Sequence, residues 1–459
     1  MRRAPLALTV LLTLIALLGV QVAGVAAPHG LATTTTVFPS AGGEPNVSIS
    51  PDGRTVLVDG LGSSSEPANL WRSTNGGRTF TRLHMHVPNS GGGDFDMRWL
   101  NTHTVVAADL SIGSGIYVDR STDRGLHWTQ TQVAEDQYDR PWLAVFHDHV
   151  YLITKGFDGL PYCYTSTDGG KSFSPVPIPL YGTGVVPAEA GGRQPTPVEA
   201  FVTNNNAYVD HADTDPRTGD LYVLFGIDST ETYSQSNPVG VPDRLYVAHL
   251  VDGHAGQQFD VHPVYLGGSG DGFIDGFNWL TIDRAGTLYV LGDGLHAGYQ
   301  SAWLSYSKDH GKTWSKLVDL GARSGDTVYG AIASGSPGTL GLVDLHGTKP
   351  DPNQHQSWFA EVARVTHANT PNPVVRRTRA LSKPVHTADI CMSGILCGIP
   401  GFGDNRNLLD YIWDSVSPSG ALFAVVASDG PATGSDGRRV DVVLIRQTGG
   451  PSLGPGVPS

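Results

Sequence analysis

The residues able to do chemistry recur in one kind of place. Short acidic segments stand at the start of alternating apolar runs: Glu44; Asp94-Phe95-Asp96-Met97-Arg98; Tyr138-Asp139-Arg140; Asp210-His211; Asp271 with Asp275; Asp326; and Asp404-Asn405-Arg406 leading to Asp410-Tyr411. Each segment has an acid, and three also have an arginine. Carboxylates brought to one place repel, which raises the pKa of one of them and keeps it protonated near neutral pH. Such a carboxyl donates to a leaving-group oxygen, while a neighbouring carboxylate activates water or a tyrosine acts as nucleophile. Guanidinium groups grip a carboxylate through paired hydrogen bonds. The combination suits hydrolysis of a glycosidic bond at an acidic sugar. On this reading Asp96, Asp139, Asp410 and Tyr411 are the candidate catalytic residues, and Arg98, Arg140, Arg406, Asp210, His211 and Asp275 the candidate substrate contacts. Two other uses compete for the same residues. Acids ahead of strands cap turns or pair with arginines to tie sheets together, and an oxygen-rich cluster suits calcium. No other cofactor is expected, and the histidines show no metal-ligand spacing.

These segments can act together only if the chain returns repeatedly to one axis, and the sequence contains such a repeat. Four copies of a Ser-x-Asp-x-Gly-x-x-aromatic motif are present: Ser73 to Phe80 (with Asn75 in place of Asp), Ser121 to Trp128, Ser166 to Phe173 and Ser307 to Trp314. The motif reads as a hairpin turn in which the Asp or Asn side chain bonds amides two residues on and Gly takes a positive φ. Three period-two strands precede each turn, as in Trp279-Leu280-Thr281-Ile282, Leu288-Tyr289-Val290-Leu291 and Ser301 to Tyr306. The same order recurs without a clear motif over 209–259, 328–364 and 409–446, giving seven copies. A four-stranded antiparallel unit repeated radially is a β-propeller. The predicted fold is all-β, a single propeller over 31–448 with seven blades, or six if one copy is an insertion. The last copy lacks a strand after Ile445, so Thr33 to Phe38 is expected to close the ring.

Bulk properties narrow the setting. Arg2, Arg3, an apolar run to about Val22 and the small residues Ala23 to Ala27 read as a cleaved export signal, 1–27. An uncleaved anchor is the competing reading of that run. Gly (58) and Pro (31) are abundant in the 459 residues and helical patterns are absent, as expected for short strands and turns. The formal charge of −13 falls to about −15 once Arg2 and Arg3 leave, which argues against nucleic acid and anionic membranes as partners. Cys391 and Cys397 lie in a Gly-rich loop where they could bridge in an oxidising compartment, whereas Cys163 sits in a strand pattern as a buried apolar side chain. Residues 449–459 read as a disordered Gly/Pro/Ser tail. The protein is expected to be a secreted monomer with extracellular carbohydrate as its partner and no stable membrane insertion.

The four motifs resemble the Asp boxes, or BNR repeats, of the sialidase-like propeller families. That resemblance covers nearly the whole mature chain as a repeat. It implies a propeller whose boxes lie at the turn from third to fourth strand, opposite the active face, so Asp123, Asp168 and Asp309 are expected to be structural. Sialidases of this group use a tyrosine nucleophile, a role for which Tyr411 is the candidate. They also carry an early Arg-Ile-Pro, for which this chain offers Glu44-Pro45-Asn46, so no residue is carried over as the first carboxylate-binding arginine. Relatives include sialidases, other glycosidases and proteins without catalysis. The resemblance therefore implies a glycoside hydrolase or, as the alternative, a non-catalytic glycan- or protein-binding propeller. The long connections 174–206, 226–243 and 366–408 are expected on the same rim as the acids.

Overall fold

In the computed structural model the described residues are 21–23, 30–63, 66–135, 138–156, 161–180, 185–186, 196–197, 207–227, 242–251, 258–267, 270–274, 276–321, 325–392, 397 and 405–456. They form seven antiparallel blades of four strands around one axis, and the described residues contain no α-helix. The innermost strands are Val47–Ile49, Phe95–Trp99, Tyr138–Phe146, Ala207–Thr214, Trp279–Ile282, Thr327–Ser334 and Trp413–Val416. Second strands lie between neighbouring sheets on both faces, so Leu221–Ile227 is buried along its whole length and reads as an unbroken apolar run.

Seven blades, not six, complete the ring, and the N-terminal strand closes it. Ala32–Phe38 pairs antiparallel with Asp441–Gly449, placing Thr36 opposite Leu444 and Phe38 opposite Val442. Phe38 is 3% exposed, and its ring lies 5.0 Å from Trp71 and 5.1 Å from Phe80 of the first blade. No peptide bond joins the two strands across this seam, so the backbone ladder and side-chain burial together must hold it. Gln21–Ala23 adds a further strand opposite Thr34 to Thr36, and signal cleavage near Ala27 would leave the closing blade with its usual four.

The Asp boxes occupy the turns from third to fourth strand. Ser166 Oγ accepts the Gly170 N–H (3.0 Å) and donates to Asp168 Oδ1 (2.8 Å). Asp168 Oδ1 then accepts from Lys171 N and Ser172 N, both at 3.0 Å. The carboxylate thus reaches amides three and four residues ahead, rather than two, because Ser takes the intervening amide. Gly77, Gly125, Gly170 and Gly311 have φ of 76°, 82°, 80° and 79°, where a side chain would be strained. Burial pushes Asp168 upward, but the Ser172, Ser166 and Lys171 donors outweigh it and hold its carboxyl down at about 2.

The structure differs from expectation at the C-terminus. Residues 450–456 lie along the Asp-box face instead of being disordered. Leu453, 1% exposed, finds an apolar seat there; its N–H donates to Gly420 O and its carbonyl accepts from Ser336 N. Arg284 reaches the carbonyls of Pro455 and Gly456.

Phe38→Ala removes a buried ring at a seam without covalent support, and should lower unfolding free energy by about 3–5 kcal/mol. Urea denaturation followed by circular dichroism measures it. A change within about 0.5 kcal/mol, as at an ordinary surface position, would show that this ring does not hold the closure.

Candidate functional site

The rim opposite the Asp boxes is built from the starts of the innermost strands, and the backbone there is unusual. Glu44, Arg140, Tyr329 and Leu409 have positive φ, 50°, 56°, 56° and 61°. Residues other than Gly adopt this region only where surrounding structure imposes it. Three innermost strands also break register at this level: between Asp139 and Trp142, between Val209 and Ala212, and between Val328 and Ala331. A bulge adds a residue and re-aims side chains. In each bulge two residues oppose one: Arg140-Pro141, Asp210-His211 and Tyr329-Gly330.

The upper layer of the mouth is charged. The Glu44 carboxyl lies beside that of Asp94, with Asp410 and Arg140 close by. Burial first, then the charges of Asp94 and Asp410, push the Glu44 carboxyl well above the usual carboxylate range, and Arg140 offsets this only in part. Asp410 is held by two arginines. Arg406 Nε donates to its Oδ1 at 3.1 Å and Arg406 Nη2 to its Oδ2, while Arg140 Nη2 stands 3.6 Å from Oδ2. The Arg406 side chain is 31% exposed and that of Asp410 is 4% exposed. The Arg140 guanidinium lies 3.5 Å from the centre of the Phe277 ring. Gly276 makes room for it, since a Cβ there would come 2.6 Å from Arg140 Nη1. Tyr329 pins the rim, its hydroxyl donating to Leu409 O at 2.8 Å and lying 3.4 Å from Cys391 O. Cys391 is in turn bridged to Cys397, and Cys163 is a buried free thiol.

Below this layer the axis is filled. The rings of Trp142, Trp279, Trp413 and His211 pack at centroid distances of 4.6–6.1 Å. Tyr411 sits against Trp142 (5.7 Å) and Phe277 (5.4 Å). Burial, then Asp94 and Glu44, push its phenol far up, so it is a neutral hydroxyl in a packed plug. Arg98 lies deeper, 4.7 Å from the centre of the Trp413 ring and 3.0 Å from His211 Nε2. Burial and then the Arg98 charge depress His211, leaving a neutral imidazole.

The structure therefore divides the candidate residues. It brings Arg140, Arg406 and Asp410 together at the mouth, with Tyr411 beneath them. It commits Asp96 to the scaffold: Asp96 accepts from Asn46 Nδ2 (3.0 Å) in the first blade, Leu143 N (2.8 Å) in the third, and Arg98 in its own. Asp210 likewise accepts Asn278 N (2.8 Å) and Nδ2 (3.0 Å), linking the fourth blade to the fifth. Arg98 and His211 belong to the plug, so the three arginines do not converge. The side chain of Asp139, and all of Asp275 and Asp404, lie outside the described residues. Asp271 stands away from the axis, bonded to Tyr265 and His296. The Glu44–Asp94 pair was visible only as two acids at successive strand starts; nothing in the sequence showed that they meet. Among the described residues no group of three or more His, Cys, Asp or Glu could hold a metal ion.

Asp96→Ala would strand the buried Arg98 guanidinium and the Leu143 amide. It should cost about 3–5 kcal/mol of stability, as loss of one partner of a buried ion pair does. Chemical denaturation measures this; a stable, unchanged Asp96→Ala protein would remove the scaffold assignment.

Comparison with known proteins agrees with this architecture. The BNR/Asp-box repeat family matches residues 305–316, the fourth box. No curated protein sequence matches the chain. The fold superposes on polysaccharide lyase Uly1 with a TM-score of 0.51 at 10% identity, over 89% of this chain and 90% of that one. The structure of YCF48 bound to D1 peptide gives 0.49 at 12% identity, over 90% and 96%. A Trypanosoma rangeli sialidase mutant displaying trans-sialidase activity gives 0.43 at 12%, over 87% and 59%. With seven blades, four of which carry an Asp-box turn from third to fourth strand, the chain is a seven-bladed β-propeller bearing BNR/Asp-box repeats.

Proposed function

We propose that the chain is a secreted glycoside hydrolase acting on an extracellular glycan with an acidic sugar. One observation carries this reading: two neighbouring carboxyls, Glu44 and Asp94, beside the Arg140–Asp410–Arg406 group, supplied by the starts of four innermost strands. Glu44, held protonated, is the general acid that donates to the leaving oxygen. Asp94, half-buried beside it, takes up and returns the proton. Asp410 supplies the second carboxylate, the part that attacks or activates water. Arg406 uses Nε and Nη2 on Asp410, and its exposed edge can meet the carboxylate of a sugar. An active-site tyrosine is not required; Tyr411 supports the floor.

A second reading, a non-catalytic glycan-binding propeller, draws on the same mouth. Asp410 already engages both arginines, and the plug keeps the mouth shallow, features that suit a binding surface. An acidic surface argues against nucleic acid in either case.

Reducing-sugar release from a panel of neutral, sialylated and uronic-acid-containing glycans separates the two. Hydrolysis should depend on Glu44, with Glu44→Gln lowering kcat by about 10²–10⁴ while binding persists. Activity requires the protonated acid, so it is present at low pH and lost as pH rises through the elevated Glu44 pKa. That alkaline loss should vanish from the residual activity of Glu44→Gln. Saturable glycan binding without turnover in the parent protein would establish the second reading instead.

A further inference from the structure

The Asp-box face holds a cavity that the mouth does not account for. It lies between the first and seventh blades, on either side of the closure seam, with a volume of about 420 Å³. Three arginines line it: Arg54 from the first turn of blade one, Arg78 from the Asp box of the same blade, and Arg446 from the third strand of blade seven. The remaining walls include the hydroxyl residues Ser417 and Ser419 and the ring of Phe423, and no carboxylate lines it among the described residues. On a chain of formal charge −13, three guanidiniums around one space with no acid in its wall are not a solvated average of the surface.

The wall is built rather than incidental. Arg78 is held in place by its own turn, Nη1 donating to Asn75 O at 2.9 Å. Gly77, at φ 76°, lets the neighbouring blade approach, since a Cβ there would come 2.7 Å from Phe423 Cε1 and 3.3 Å from Arg446 Cδ. The glycine that the Asp box needs for its turn is thus also the one that admits Arg446. Burial lowers the Arg446 pKa, and Arg78 lowers it further, because two like charges face the same space. A bound anion would relieve that repulsion, as Asp410 does between Arg140 and Arg406 at the mouth.

We infer that this cavity is an oxyanion site, in which Arg446, Arg78 and Arg54 take a sulfate, phosphate or carboxylate group and the serine hydroxyls accept or donate to its neighbours. Arginine forks match such groups in geometry as well as charge. The volume exceeds what a bare inorganic ion needs and falls in the range of small-ligand pockets, so the oxyanion is either free or the acidic group of a saccharide. Because the cavity spans blades one and seven, occupation ties the two sides of the seam and should raise thermal stability.

Isothermal titration at low ionic strength tests this with three probes: inorganic sulfate, a sulfated monosaccharide and its neutral parent sugar. The expected result is saturable binding of sulfate, of the sulfated sugar, or of both, with none for the neutral sugar. Sulfate alone binding as tightly as the sulfated sugar identifies a free oxyanion as ligand; preference for the sulfated sugar identifies the saccharide. Arg446→Ala should weaken binding about tenfold or more, as loss of a charged hydrogen-bond donor does, and added salt should weaken it further. If Arg446→Ala does not fold, Arg54→Ala with Arg78→Ala, both at exposed positions, reads the same contact. Glu44→Gln should bind as the parent does, which separates this site from the hydrolase reading. No binding of either anion at millimolar concentration, equal binding of the neutral sugar, or unchanged affinity in the arginine variants overturns the inference.

Discussion

The innermost strand of every blade is an edge strand, and it is buried. Its unpaired amides cannot turn to water, so another group must accept them. Buried carboxylates carried by neighbouring blades do so. Asp96 takes Leu143 N across to the third blade, Asp210 and Asp213 take Asn278 N and Ile282 N across to the fifth, and Asp293 takes Gly330 N across to the sixth. Each such bond replaces the sheet partner the edge lacks. The cost appears in the acids themselves: burial pushes Asp213 to about 7 and Asp293 to about 8, the amide donors offsetting only part. The axis is not assembled from sheets alone; it carries acidic side chains inside.

That arrangement explains which parts of the sequence were legible. Seven blades and closure by Thr33 to Phe38 followed from period and alternation, because a strand two-sided in burial writes its pattern directly into the chain. The boxes were legible as turns, although the reach of Asp168 to Lys171 and Ser172 depends on Ser166 already holding Gly170. The site was legible only as a zone. Scaffold and mouth draw on the same residue type at nearly the same place, and what separates them is a displacement of one or two residues. Asp96 lies inside a paired strand, opposite Ala108, and becomes a strut. Asp94, two residues earlier, lies just ahead of strand Phe95–Trp99 and meets Glu44. Asp410 precedes Trp413 by the same logic. Strand starts of three or four residues are too short for sequence to fix that boundary.

The left-handed backbone at Glu44, Arg140, Tyr329 and Leu409 concentrates where those displaced side chains converge. Elsewhere such conformations fall mostly to glycine, although the box turns also place Arg124 and His310 there. At the mouth they are imposed by neighbours: the Leu409 carbonyl is fixed by Tyr329, and Tyr329 by the bulge of its own strand. The described rim backbone is consequently fixed by its own hydrogen bonds and bulges, which set the direction of its side chains. The aromatic plug below adds to this, since Trp142, Trp279 and Trp413 leave the charged layer no room to sink.

The chain's last described residues have a geometric consequence for handling the protein. Leu453 seats against blades six and seven, and Gly456 N bonds Ser417 O, so residues 450–456 keep to the box side. A dye or bead coupled at Gly456 would be tethered at the pole away from Glu44 and Arg406. Immobilised through that position, the molecule would present its charged opening outward.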